Sequence, residues 1–177
     1  MRRDIRLERT YPHPPDLVWR ALTEPALIGE WLMENDFEAV VGHRFTLRTD
    51  PQPGFDGIVQ CEVLELDAPR RMRWSWRGGP IDTVVEFDLA PATLADAAGT
   101  RLVVRQRGFD GLPAVLVSYI LGAGNNEVYG RRLPALLDRL AGRPVAPVPH
   151  RRMGAPWRWL TAVFGPLLRR SERRTRR

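Results

Sequence analysis

The sequence contains no lysine; all 27 of its basic side chains are arginines. Guanidinium groups hold carboxylates and phosphates in a bidentate fork that an ammonium cannot form. Here, though, the missing lysine accompanies abundant alanine, glycine and proline, and reads first as compositional drift of the whole chain. The single cysteine, Cys61, excludes an internal disulfide and a cysteine-built zinc site. No stretch approaches the ~18 uninterrupted apolar residues of a membrane-spanning helix. The start, MRRDIRLERTY, has arginines but no apolar segment, so a secretory leader is not expected and a cytoplasmic location is. The histidines, His13, His43 and His150, have no acid or serine at triad spacing. No His/Cys/carboxylate set has metal-ligand spacing. Gly78-Gly79 and Gly122–Gly124 do not fit a nucleotide-binding fingerprint. Neither a metal nor a cofactor is expected.

The charge is unevenly placed. Residues 143–177 hold ten arginines against one acid, Glu172, for a net +9. Residues 1–142 hold 17 arginines and 20 acids, for a net −3. Any electrostatic attraction to an anionic partner is therefore expected from the tail. Within it, Trp157, Leu160, Phe164 and Leu167 share one face of a short amphipathic helix expected at 156–168, interrupted by Gly165-Pro166 and followed by arginines. That pattern suits an anionic membrane surface or a protein partner. It equally fits a solvated end whose aromatic segment docks on the body. Nucleic acid is the less favoured partner, although tryptophan could stack on bases.

The body begins with a strand. Ile5, Leu7, Arg9 and Tyr11 alternate with Asp4, Arg6, Glu8 and Thr10. Pro14 and Pro15 suit the first turn of a helix, where a missing N–H costs nothing. Val18, Trp19 and Leu22 form its apolar face, and Pro25 starts a second short helix with Leu27, Ile28, Trp31 and Leu32. From Phe45 to about residue 108 the period is two. The apolar phase slips between Val63 and Leu64, which predicts a bulge. Arg71, Arg73 and Arg77 fall on the outward phase opposite acids of residues 82–88, predicting cross-strand ion pairs. A loop is expected after Leu89. Residues 113–141 return to helical spacing, with GAGNN at 122–126 expected to interrupt the helix and Pro134 to kink or restart it. The fold class is α+β: a curved antiparallel sheet of about six to seven strands, two short helices and a long C-terminal helix, over residues 1–142.

This order resembles the helix-grip domains of the START/Bet v1-like superfamily and, within it, the activator of Hsp90 ATPase homologue group. Arg9-Thr10 with Pro14, Val18-Trp19, Thr23-Glu24-Pro25, Trp31, Gly42, Phe45, Gly57, the Pro69–Trp74 segment, Gly99-Thr100 with Leu102, and Leu133–Leu140 carry the resemblance. It covers about residues 3–142. The usual Gly-Trp that opens the last helix appears as Val128-Tyr129.

The resemblance implies a cavity between sheet and helix. The apolar phase then nominates its lining: Phe45, Trp74, Trp76, Thr83, Val85, Phe87, Val104, Tyr119, Val128 and Tyr129. Arg9 and Gln106 are polar intrusions on that phase, able to hold a ligand carboxylate, amide or hydroxyl. The leading expectation is binding of a small or medium hydrophobic molecule. A second is a polyketide cyclase or dehydratase using Arg9, His43 or Gln106. A third, by analogy with the co-chaperone that names the group, is a protein-interaction module.

Overall fold

The computed structural model describes residues 1–51 and 55–145. Among them, seven strands form one antiparallel sheet. The strands are β1 (Arg2–Tyr11), β2 (Glu34–Asn35), β3 (Arg44–Arg48), β4 (Ile58–Asp67), β5 (Arg71–Gly78), β6 (Ile81–Leu94) and β7 (Ala97–Asp110). Their spatial order is β1-β7-β6-β5-β4-β3-β2, so β1 lies at an edge. The helices are α1 (Pro15–Thr23), α2 (Pro25–Trp31), α3 (Leu112–Glu127) and α4 (Leu133–Leu140). The helix expected at 156–168 lies outside the described residues.

The proline pair works as its chemistry dictates. Pro14 is the extended cap residue of α1 and Pro15 its first helical residue, with Asp16 in the favourable first turn. Pro25 opens α2 in the same way. The indole N–H of Trp31 donates to the carbonyl of Ala21 at 2.8 Å, locking α2 onto α1. Leu22, Ile28, Trp31, Leu133 and Leu137 are fully buried against inward residues of the sheet such as Leu47, Val63 and Leu102.

The expected bulge is present: the β4–β5 register shifts between Val63 and Glu65, leaving Leu64 exposed. A second shift lies between Arg3 and Ile5 on β1, where Gly108 of β7 takes a φ of 105° and donates its N–H to Asp4 at 3.2 Å. The cross-strand pairs also form. Arg71, Arg73 and Arg77 stand opposite Asp88, Glu86 and Asp82, and Arg105 of β7 reaches both Glu86 and Asp88. Burial alone would raise the pKa of Glu86, but Arg71 and Arg105 outweigh it and hold the carboxyl below its usual range.

Two expectations are corrected. The chain does not enter a loop after Leu89; β6 and β7 continue as a hairpin out to Leu94 and Ala97. Its turn is Ala95-Asp96, both at positive φ (45° and 64°), the conformation a two-residue hairpin turn requires. The GAGNN run does not break the helix either: α3 runs unbroken through Glu127. The break comes later, at a π-helical segment, Val128–Arg132, in which the Leu133 N–H reaches back to the Val128 carbonyl. Pro134 offers no N–H to continue that wide ladder. The Tyr129 carbonyl, left without its helical donor, instead accepts the Tyr11 hydroxyl at 2.7 Å.

Candidate functional site

The sheet and α3 enclose a cavity of about 140 Å³. Strand pleating puts Trp76, Val85, Val104 and Gln106 on its sheet wall, and Val117, Leu121, Val128 and Tyr129 form its helical wall. Leu32, Met33, Asp50 and Phe55 also border it. The volume matches that of an engineered apolar cavity of about 150 Å³ that stays dry and takes up benzene.

A few polar atoms face this apolar space. Gln106 donates its amide N–H to the Thr83 hydroxyl at 2.9 Å, and that hydroxyl donates to the Trp76 carbonyl at 3.2 Å. The chain fixes the orientation of Gln106. Its amide oxygen carries no hydrogen bond among the described residues. Trp76 is only 7% exposed, and its buried indole N–H has no acceptor among the described residues. Burial, with the neighbouring Tyr11, pushes the Tyr129 hydroxyl far above the usual phenol range, so it stays protonated.

Of the twelve residues nominated from sequence, Trp76, Val85, Val104, Gln106, Val128 and Tyr129 border this cavity, and Thr83 hydrogen-bonds Gln106 without lining it. Phe45, Trp74 and Phe87 do not border it. With Phe37 they form an aromatic cluster, Phe45 and Trp74 edge-to-face at 5.3 Å and Trp74 and Phe87 at 4.8 Å, which fills the core beside the cavity. Tyr119 is 58% exposed and lies under the guanidinium of Arg3, 3.6 Å from its ring centre. Arg9 also lies outside the cavity, in a cleft between β1 and α3. There it donates to the Asn126 side-chain oxygen at 2.6 Å and to the Glu8 carbonyl at 3.0 Å.

The three alternative polar candidates lie apart, and Gln106 lines the cavity. Arg9 and His43 are not among the cavity-lining residues that include Gln106. His43 hydrogen-bonds the Asp36 carbonyl at 2.9 Å and stacks on Phe45. His13 lies outside the cavity lining too: only 2% exposed, it meets Asp138 at 2.9 Å and ties the β1–α1 turn to α4. Among the described residues no cluster of His, Cys, Asp or Glu could hold a metal ion. Cys61 is buried, which pushes its thiol up to about 12 and leaves it unreactive.

Ile5, Phe55, Leu121 and Asn125 also line the cavity but escaped sequence reasoning. Ile5 and Leu121 carried only the ordinary signal of apolar periodicity. Asn125 sat in a run that read as a helix break, and nothing local marks Phe55.

The family described as "Activator of Hsp90 ATPase homolog 1-like protein" matches residues 12–138. Among solved structures, protein MLL2253 from Mesorhizobium loti is 35% identical, with a TM-score of 0.67, over 77% of this chain and 98% of that one. DynU16, described as a putative protein in the dynemicin biosynthetic locus, is 26% identical with a TM-score of 0.59. That alignment covers 80% of this chain and 48% of DynU16. CalU16 from Micromonospora echinospora shares the fold, at 24% identity and a TM-score of 0.57, over 91% of this chain and 89% of its own. A search of the curated proteins found no match. With the family matched over most of its described body, and a 35%-identical relative aligned almost end to end, the chain belongs to the Activator of Hsp90 ATPase homolog 1-like protein family.

Proposed function

We propose that this protein binds a small, largely apolar ring compound in the cavity between the sheet and α3. The observation that carries the reading is the cavity's chemistry. Its walls are mostly aliphatic and aromatic, and the Gln106 amide and a buried Trp76 indole N–H with no acceptor among the described residues accompany them. Ligand sites commonly combine an apolar concavity with a few fixed polar groups in this way. A buried donor without a partner is costly, and a ligand acceptor would relieve it. Residues 1–142 serve as the binding domain in this reading. The basic segment 143–177 serves as a separate contact for an anionic membrane surface or a protein partner, in the cytoplasm.

The test is a thermal-shift and calorimetric titration of the full chain with indole, 2-naphthol and benzene. A saturable rise in melting temperature is expected, because a ligand that binds only the folded state stabilises it. Leu121→Trp, which fills the cavity, should abolish the rise while the protein stays folded. No shift with any of the three would overturn the reading.

A second reading rests on DynU16, which is described as belonging to a biosynthetic locus. In it the same cavity would position a polyketide-like substrate for cyclisation or dehydration, with Gln106 orienting it. Turnover that disappears in Gln106→Leu but survives in His43→Ala would favour this reading over simple binding.

A further inference from the structure

The cleft outside the cavity, between the β1 edge and α3, holds two guanidiniums, Arg3 and Arg9, neither of which pairs with a carboxylate among the described residues. It is an open groove of about 550 Å³, with Arg3 and Arg9 from β1 and Tyr119, Asn125 and Asn126 from α3 along its walls. Arg9 is half-buried, and its recorded partners are neutral, the Asn126 amide oxygen and the Glu8 carbonyl. Arg3 meets the Ser118 hydroxyl and the Tyr119 ring, with no carboxylate partner among the described residues. Of the bordering acids, Glu8 is ion-paired to Arg6 at 2.7 Å and Arg101 at 2.5 Å, and Asp4 accepts the Gly108 N–H and has no hydrogen bond to Arg3 or Arg9 among the described residues. This contrasts with the outward face of the sheet, where Arg71, Arg73, Arg77 and Arg105 all pair with carboxylates.

Cleft and cavity also adjoin: Ile5 and Asn125 line both the apolar chamber and the arginine groove. Four residues of strand separate Ile5 from Arg9, about 13 Å. A Cβ built on Gly122, in the α3 wall of the cleft, would meet nothing within 4 Å, so the groove is open on that side.

We propose that the cleft is a carboxylate-binding site centred on Arg9, and that the natural ligand is an acidic amphiphile whose apolar body occupies the cavity. The inference rests on the cavity reading above and adds the charge of the ligand to it. A carboxylate at Arg9 would replace the single ion–amide contact to Asn126 with an ion pair that the guanidinium can hold through two parallel N–H···O bonds. Asn126 would then act as a placeholder that keeps the guanidinium aimed into the groove.

The experiment is isothermal titration calorimetry of the full chain with decanoate and with 1-decanol, two probes of one chain length that differ in head-group charge. Decanoate should bind at least tenfold more tightly, and added salt should narrow the gap. Arg9→Gln should remove at least tenfold of the decanoate affinity and leave decanol unchanged, and Arg9→Lys should restore part of it. Asn126→Asp, at an exposed position, places a competing carboxylate on Arg9 and should mimic Arg9→Gln without touching the core. Equal affinity for the two probes, or unchanged decanoate binding in both Arg9→Gln and Asn126→Asp, would overturn the carboxylate site while leaving the cavity reading intact, since decanol still binds. Failure of both probes to bind would overturn the carboxylate site, and the ring-compound titrations then decide the cavity reading by themselves.

Discussion

The Tyr11 hydroxyl occupies the place on the Tyr129 carbonyl that Pro134 leaves empty. One buried hydrogen bond of 2.7 Å thus joins the edge strand β1 to the π-helical segment 118 positions away, where the last helix changes register beside the cavity. The sequence features it depends on, a strand-end tyrosine and a helix-start proline, each look ordinary alone.

Tyr11→Phe leaves that buried carbonyl without a donor and should destabilise the fold by about 1–3 kcal/mol. Urea unfolding followed by far-UV circular dichroism measures this. Pro134→Ala in the same background supplies an N–H and should recover part of the loss. An unchanged midpoint in Tyr11→Phe would show that the carbonyl finds another partner.

Glu8 gives the fold a defined acid dependence. Its hydrogen bonds to Arg101 and Arg6 hold its carboxyl down from 4.5 to about 2. A folded-state pKa below the unfolded value means stability that is fully present above about 4.5 and lost as pH falls through 2. Glu8→Gln should therefore flatten the stability profile between those limits and leave its shape near neutral pH unchanged. Denaturant titrations at pH 7, 4 and 2.5 read the difference. Parallel wild-type and variant profiles through the acid range would refute the assignment.

Gly122 and Gly124 sit within α3 with helical-side φ and open space where a Cβ would be. Nothing steric requires glycine there, and each lowers helix stability by about 0.8–1 kcal/mol relative to alanine. Gly122→Ala with Gly124→Ala should raise the melting temperature. Because Gly124 lines the cavity wall, the double variant should also slow exchange of a bound ring compound, measurable by NMR line shape. A lower melting temperature would indicate that α3 needs the glycines for packing.

Cys61 should resist modification. Its thiol is buried and pushed up to about 12, chiefly by burial, with Asp36 adding to the effect. A chromogenic disulfide reagent should react with it only at the rate of unfolding, and the rate should rise with urea in step with the unfolded fraction. Fast labelling of the native protein would contradict the burial.

Much of the architecture was legible because it rests on local rules. The prolines at 14–15 and 25 open helices where their missing N–H groups are harmless, and the slip between Val63 and Leu64 produces its bulge. The misread parts share a cause. Alanine and glycine after Leu89 looked like a loop, but pairing between β6 and β7 extends the hairpin regardless of propensity. The GAGNN run looked like a break, but tertiary packing carries α3 through it.

The sequence alone determined the order of elements, the inward and outward phases of each strand, the ion-pair register on the outer face and the charge asymmetry between body and tail. All follow from periodicity and residue chemistry, which act over a few neighbours. Tertiary structure decided which inward residues fill space and which leave it. Phe45, Trp74 and Phe87 share the phase of Trp76 and Val85. Yet they close on Phe37 and pack solid, while Trp76 and Val85 face α3 across a gap. It also turned Tyr119 outward and set Arg9 in a cleft outside the cavity. A cavity is a failure of distant surfaces to meet, and a strand's own alternation carries no record of how far away its opposite wall will stand.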